Sequence, residues 1–188
     1  INMIRRAYAL FGSVMVIPGA FGAFKKKMVV AVGGYDIDTV TEDFDITIKL
    51  LKSRSSISSS AAGKAFTEVP STWTSLYKQR LRWGTGTFQT LFKHKDVFKN
   101  PRYGTLHDLV FPLMLFSLFN PLASILSIGA AVVLVFTGGA LVFIEMFAVF
   151  LLIQAFVSLL ALSIDNEGDR LALYSPFFVV IYKQFLDI

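Results

Sequence analysis

The chain of 188 residues is 54% hydrophobic, with 19 Phe, no Cys, and a mean hydropathy of +0.61. A soluble domain of this length is rarely so apolar, so part of the chain is expected to meet lipid. Residues 1–104 hold 16 of the 18 Lys+Arg and 7 of the 13 Asp+Glu, a net +9, whereas residues 105–188 hold 2 and 6, a net −4. A basic half suits nucleic acid, an anionic lipid surface or a phosphorylated substrate. Nothing resembles a groove-reading helix or an aromatic RNA platform, so no nucleic-acid partner is expected. The absence of cysteine fits a cytosol-facing protein. With Ile1 first and no start methionine or signal peptide, the sequence reads as a piece of a longer protein.

In chain order, "SVMVIP" (13–18) predicts a strand and "GAFGAF" a tight small-residue turn. "KKKMVVAV" predicts a short helix stopped by Gly33-Gly34. After the loop "YDIDTV", Thr41 is a candidate N-cap for a helix over about 42–53. Its apolar stripe is Phe44, Ile48 and Leu51, with Ile46 and Leu50 beside it. "SRSSISSSAAG" (53–63) has the composition of a linker. "KAFTEVP" predicts an extended segment, and a helix resumes near Thr72. Pro101 ends any helix in the Lys-rich stretch 93–102.

No charged residue occurs over 109–144 or over 146–164, and each run is long enough for a spanning helix, which needs about 20 residues. One span is expected inside 109–137, with Pro112 and Asn120-Pro121 as kinks or an interfacial lead-in. Gly138-Gly139 is the expected turn, and 140–164 the second span. The preceding basic cluster places residues 1–104 in the cytoplasm by the positive-inside rule, and "DNEGDR" (165–170) returns there. A third apolar segment, 171–188, is interrupted by Lys183 and reads equally as an interfacial helix or a span whose lysine faces protein.

Two stretches carry chemistry. "TVTEDFD" places Glu42, Asp43 and Asp45 in the first turn of a helix, where acids complement the helix dipole without any further role. The same position keeps a carboxylate ionised, the state a general base requires. In "QRLRWGTG" (79–86), Gln79, Arg82 and Trp83 fall at i, i+3 and i+4 on one helix face. An interfacial anchor explains the Arg and Trp but not the Gln. A ligand site uses all three: Arg82 to fork onto a pyrophosphate, Trp83 to stack on a sugar face, Gln79 to hydrogen-bond either ligand. Gly84 and Gly86 allow close backbone approach. "DID" (36–38) and "DFD" (43–45) satisfy a DxD pattern but read as loop and helix-start residues rather than Mg²⁺ ligands. His94 and His107 stand isolated and support no metal site.

Taken together, "TED", about 35 residues, "QxxRW" and then apolar helices resemble the family 2 processive glycosyltransferases, the synthases of cellulose, chitin, hyaluronan and poly-N-acetylglucosamine. "IPGAFGAFKKKMVVAVGGYDIDTVTEDFDITIKLLK" and "FTEVPSTWTSLYKQRLRWGTG" look like two blocks of that family. The resemblance implies an α/β fold, the C-terminal half of a GT-A-like domain over residues 1–104, followed by membrane helices over 105–188. It implies Asp43 as catalytic base, with Thr41 and Glu42 completing its motif, and Gln79, Arg82 and Trp83 at the UDP pyrophosphate and acceptor sugar. Pro18, Gly19 and Ala20 stand where such enzymes place a Cys-Gly-Ser-like turn beside the acceptor, so side-chain contacts from that turn are not expected. The Ser-rich 53–63 stretch departs from a more hydrophobic strand and is expected to be extended. Mg²⁺ or Mn²⁺ is implied, with ligands mainly upstream.

The implied reaction is inverting transfer of a sugar, with a lean toward N-acetylglucosamine, from a UDP-sugar to a growing β-linked glycan. The enzyme would be a multi-pass cell-membrane protein with its catalytic part cytoplasmic, in contact with membrane lipid and with room for an accessory subunit. The 188 residues alone are expected to be inactive. Two other readings are a non-processive transferase acting on a lipid-linked or short acceptor, and a membrane scaffold or transporter subunit with a basic cytosolic domain.

Overall fold

A computed structural model describes residues 12, 14–60, 65 and 67–165, with side chains to residue 160. It divides into two compact units, one reaching Leu118 and one starting at Phe119.

The first unit is built on three helices: α1 (Lys26–Ala31), α2 (Glu42–Lys52) and α3 (Trp73–Lys93). Two 3₁₀ turns, Lys95–Lys99 and Pro101–Tyr103, lead through a π turn at Leu106–Val110 into α4 (Phe111–Ser117). The centre is α2, where Phe44, Ile46, Ile48, Leu50 and Leu51 are all buried. Leu91, Val97, Val14 and Ile57 pack around it. So do Leu106, Val110, Phe111 and Met114, spaced to fall on one helix face. Residues 105–118, grouped by sequence with the apolar region, thus supply a wall of this core. Full burial of side chains such as Ile46 and Ile48 contributes about 1.5–3 kcal/mol each.

Helix ends follow local chemistry. α1 stops in a Schellman motif: Gly33 N donates to Val30 O and Gly34 N to Val29 O, with both glycines at positive φ (86° and 75°). α3 begins in a capping box between Thr72 and Ser75. α2 also ends in a Schellman motif, through Arg54 N to Leu51 O and Ser55 N to Leu50 O. Here an arginine takes the left-handed position, at φ 59°.

The expected strands are a correction. No strand occurs among the described residues, either in 14–18 or in 67–70; Ser13, Lys64 and Phe66 lie outside them. Ile17 N donates to the hydroxyl of Thr47 instead of to a ladder partner. In the Ser-rich stretch Ile57 N donates to Gly12 O, residues 53–60 contain no strand, and residues 61–63 lie outside the described part.

The second unit contains α5 (Asn120–Leu134), a π turn at Val135–Gly139 and α6 (Ala140–Asp165). Together Asn120–Leu160 form one helical stretch of 41 residues, mean hydropathy 2.5, long and apolar enough to cross a membrane. Gly138 interrupts it at φ 91°. Pro112 and Pro121 occupy the first turns of α4 and α5, where a missing N–H costs nothing. The expected return at 166–170 and the third apolar segment, 171–188, lie outside the described residues.

A left-handed arginine is strained by about 1 kcal/mol relative to glycine. Arg54→Gly is therefore expected to raise the thermal midpoint of the purified parent protein. A fall would show that the Arg54 Nη2 bond to the Arg102 carbonyl outweighs the strain.

Candidate functional site

The first turn of α2 presents Thr41, Glu42 and Asp43 at the edge of the core. Asp43 is half-buried, and each of its oxygens accepts a backbone N–H: Oδ1 from Phe44 at 2.8 Å, Oδ2 from Gly19 at 3.0 Å. Gly19 lies in a turn closed by Phe21 N to Pro18 O, so this turn meets Asp43 through its backbone, as its side chains predict. Ala20 is exposed in the same turn. A second connection runs from Ile17 N to Thr47 Oγ1, and from that hydroxyl to the Asp43 carbonyl at 2.6 Å. The carboxylate is fixed in direction, and each oxygen keeps a lone pair.

Thr41 is the N-cap of α2, but its side chain makes no cap bond. It lies against Gly86 of α3. A Cβ built at Gly86 would clash with Cγ2 and Oγ1 of Thr41, so a larger residue there requires Thr41 or its surroundings to shift. Three residues on, Gln89 Oε1 accepts the N–H of Val40 at 3.2 Å. The two sequence motifs are thus joined directly, through the glycine that follows "RWGT".

Of the face predicted on α3, Gln79 is half-buried, Arg82 is exposed and Trp83 is 43% exposed. Arg82 forms no hydrogen bond or ion pair among the described residues. The cation stacked on Trp83 is Arg80, 4.8 Å from the ring centroid. A Cβ at Gly84 would meet nothing within 4 Å, so the backbone beside Trp83 is open. Glu42 is exposed.

Behind the site is a network that sequence reasoning missed. Asp45 is fully buried, with Oδ1 2.8 Å from His94 Nε2 and 3.1 Å from Lys93 Nζ, and Oδ2 3.7 Å from Lys49 Nζ. Lys93 also pairs with Asp36 and Asp38, and Lys49 with Asp36 at 2.7 Å. His94 is therefore not isolated. Lys52 approaches its Nδ1 at 3.4 Å, which suits a neutral ring donating from Nε2 to Asp45. Only the partners, 49 residues away for His94, distinguish Asp45 from its exposed neighbours, and no local pattern encodes them.

These contacts set protonation. Burial holds His94 below the ordinary imidazole range, against its bond to Asp45, and Lys52 and Lys93 add to the lowering. Hydrogen bonds from Lys49 and Lys93 hold Asp36 at about 2, against burial. Burial opposes charge on Lys93, but Asp36, Asp38 and Asp45 outweigh it and raise the lysine above its usual range. Asp36, Asp38 and Asp45 are thus paired with lysines, although Asp45 Oδ2, 3.7 Å from Lys49 Nζ, accepts no hydrogen bond among the described residues.

The model of glycosyl transferase family group 2 matches residues 1–162. The chain belongs to this family. Over 126 residues, 67% of the chain, it is 36% identical to the poly-beta-1,6-N-acetyl-D-glucosamine synthase of Staphylococcus aureus (strain COL), covering 29% of that protein. Over 93 residues, 50% of the chain, it is 34% identical to the synthase of the same name from Staphylococcus epidermidis (strain ATCC 35984), covering 23% of it. The chain thus spans less than a third of the length of these relatives. No solved structure matches significantly.

Two expectations for this group 2 glycosyltransferase follow. Gly84→Ala should stabilise α3 by up to about 1 kcal/mol, while Gly86→Ala should destabilise the fold by about 1–3 kcal/mol through overpacking on Thr41. Equal effects in thermal unfolding would disprove the Gly86–Thr41 joint.

The second concerns pH. Because the folded His94 binds its proton less readily than an unfolded one, stability is full near neutrality and declines as pH falls below about 6.5. The Asp36 contribution persists above about pH 4 and is lost toward its folded value of about 2. His94→Gln is expected to flatten the profile between pH 7 and 5, measured by denaturant unfolding of the parent protein. An unchanged slope would contradict the assignment.

Proposed function

We propose that the chain is the acceptor-side part of a membrane-bound synthase that transfers N-acetylglucosamine from a UDP-sugar to a growing β-linked polysaccharide, with inversion. The observation that carries this reading is the joint between Thr41 and Gly86. It fixes the partly buried carboxylate of Asp43, the half-buried Gln79 and the exposed Arg82 and Trp83 to one framework. The names of the curated relatives supply the sugar.

In this reading Asp43 takes the proton of an acceptor hydroxyl. The hydroxyl oxygen then bonds to C1 of the donor sugar as the C1–O bond to UDP breaks on the opposite face. The two backbone N–H donors aim the base and leave a lone pair on each oxygen for that proton. Arg82, without a hydrogen bond or ion pair among the described residues, is available to a departing pyrophosphate. Trp83 offers a stacking face for the acceptor, and Gln79 hydrogen-bonds either ligand. A divalent cation would neutralise donor phosphates from ligands outside this chain.

The membrane reading rests on the apolar stretch. A continuous helix of 41 residues would measure about 62 Å, twice the roughly 30 Å hydrocarbon layer. With the break at Gly138, the stretch supports two spans, residues 1–104 being cytoplasmic.

In the parent enzyme, Asp43→Asn is expected to lower kcat by about 10² to 10⁴-fold with UDP affinity little changed. Near-normal polymer synthesis by this variant, at equal protein level, would remove Asp43 from the base role. Trp83→Ala should impair acceptor use and elongation, and Arg82→Ala should weaken UDP binding by about tenfold. Steady-state kinetics with each substrate varied, together with product sizing, separates the two. Identical profiles would refute this division of labour.

A further inference from the structure

At the opposite end of α2 from Asp43, about 16 Å along the helix by its rise per residue, lies a cavity of about 480 Å³. Its described walls carry two guanidinium groups, Arg54 and Arg102, and three aliphatic hydroxyls, Ser55, Ser56 and Thr105, and no carboxylate. Two acids lie close in sequence to this lining: Asp96, engaged by Lys52 at 2.9 Å and by the Tyr103 hydroxyl at 3.1 Å, and Asp108, an exposed carboxylate 3.8 Å from His107 Nε2 that does not line the cavity. Neither arginine forms an ion pair among the described residues. Arg54 is nevertheless held in place, because its Nη2 donates to the Arg102 carbonyl. The Schellman motif at this end satisfies the Leu50 and Leu51 carbonyls, removing acceptors that would otherwise repel an anion. The helical segment Leu106–Ser117 starts at the rim, with its N-terminal end at Thr105 and Leu106.

Two exposed arginines without an ion pair among the described residues, set with hydroxyl-bearing residues around an open surface depression, match one class of ligand. We infer that this cavity is a binding site for a phosphate-bearing anion, separate from the sugar-transfer site. The donors are the forked N–H groups of Arg54 and Arg102, supplemented by the three hydroxyls. Two sources share this chemistry, the headgroup of an anionic phospholipid and a soluble phosphate compound. In chain order the site immediately precedes the apolar stretch Asn120–Leu160.

The test is arginine protection in the intact parent protein. Phenylglyoxal modification of each arginine is followed by peptide mass spectrometry in phosphatidylcholine micelles. One arm adds phosphatidylglycerol and the other adds inorganic phosphate. Modification of Arg54 and Arg102 is expected to slow by about tenfold in at least one arm, as for a bidentate anion contact. Protection by phosphatidylglycerol alone assigns the site to lipid, and protection by phosphate assigns it to a soluble ligand. In a companion measurement, Arg54→Gly/Arg102→Gln should lose retention of the protecting probe, by native mass spectrometry for the lipid or equilibrium dialysis for phosphate. Arg54→Gly suits the left-handed backbone, and the bonds of Arg102 among the described residues use its backbone, the carbonyl accepting from Arg54 and the N–H donating to Asn100 Oδ1, so this variant is expected to fold. Lys26→Gln/Lys27→Gln, an equal charge loss on an exposed helix, should retain the probe. Absence of protection in both arms, or equal retention by both double variants, would overturn the assignment. Neither readout depends on sugar transfer.

Discussion

A fully buried carboxylate has to be matched, and Asp45 is matched from another helix. Lys93 and His94, at the C-terminal end of α3, reach the first turn of α2, and the same lysine gathers Asp36 and Asp38 from the loop before it. Removing either side would leave an uncompensated charge in the core. The interaction thus determines which part of α3 lies against α2. Gly86 and Gln89 then come to rest on Thr41 and Val40.

This arrangement divides labour among acids that look alike in sequence. Within one helical turn, Asp43 is held by backbone N–H groups and remains accessible, whereas Asp45 is locked by cations. The lysines that neutralise the DxD-like pairs also account for part of the positive charge of the first 104 residues. Charge that looked available to a phosphorylated ligand is in part structural. Among the described residues, the cations without an ion pair include Arg82, beside Trp83, and Arg54 and Arg102.

Elements governed by local rules were legible in the sequence. The Gly33-Gly34 stop, the Thr41 and Thr72 helix starts and the apolar stripe of α2 depend on a few neighbouring residues, and they occur where those residues put them. What depended on distant partners was not legible. The strand at 13–18 had the right composition, but Ile17 hydrogen-bonds a threonine side chain instead of a neighbouring strand. Leu106, Val110, Phe111 and Met114 are apolar enough for lipid, yet they face α2. In the site, the residue types of both motifs were readable, but the contact joining them was not. Glycine at 86 signalled close approach without naming Thr41.

The anchoring of α3 has a mechanical side. Its buried residues, Gly86, Thr90 and Leu91, all lie in the C-terminal part, and residues 73–85 contain none. The helix is a lever whose fulcrum is the contact at Gly86. Arg82 and Trp83 stand only about 5–6 Å from that fulcrum along the axis, while Trp73 stands about 20 Å away. A tilt of about 10° would displace the first two by about 1 Å and the far end by more than about 3 Å, and about 1 Å is already enough to matter for a reacting geometry. Placing the proposed ligand-binding side chains next to the pivot limits their displacement, for any tilt about Gly86, to about a third of that at Trp73.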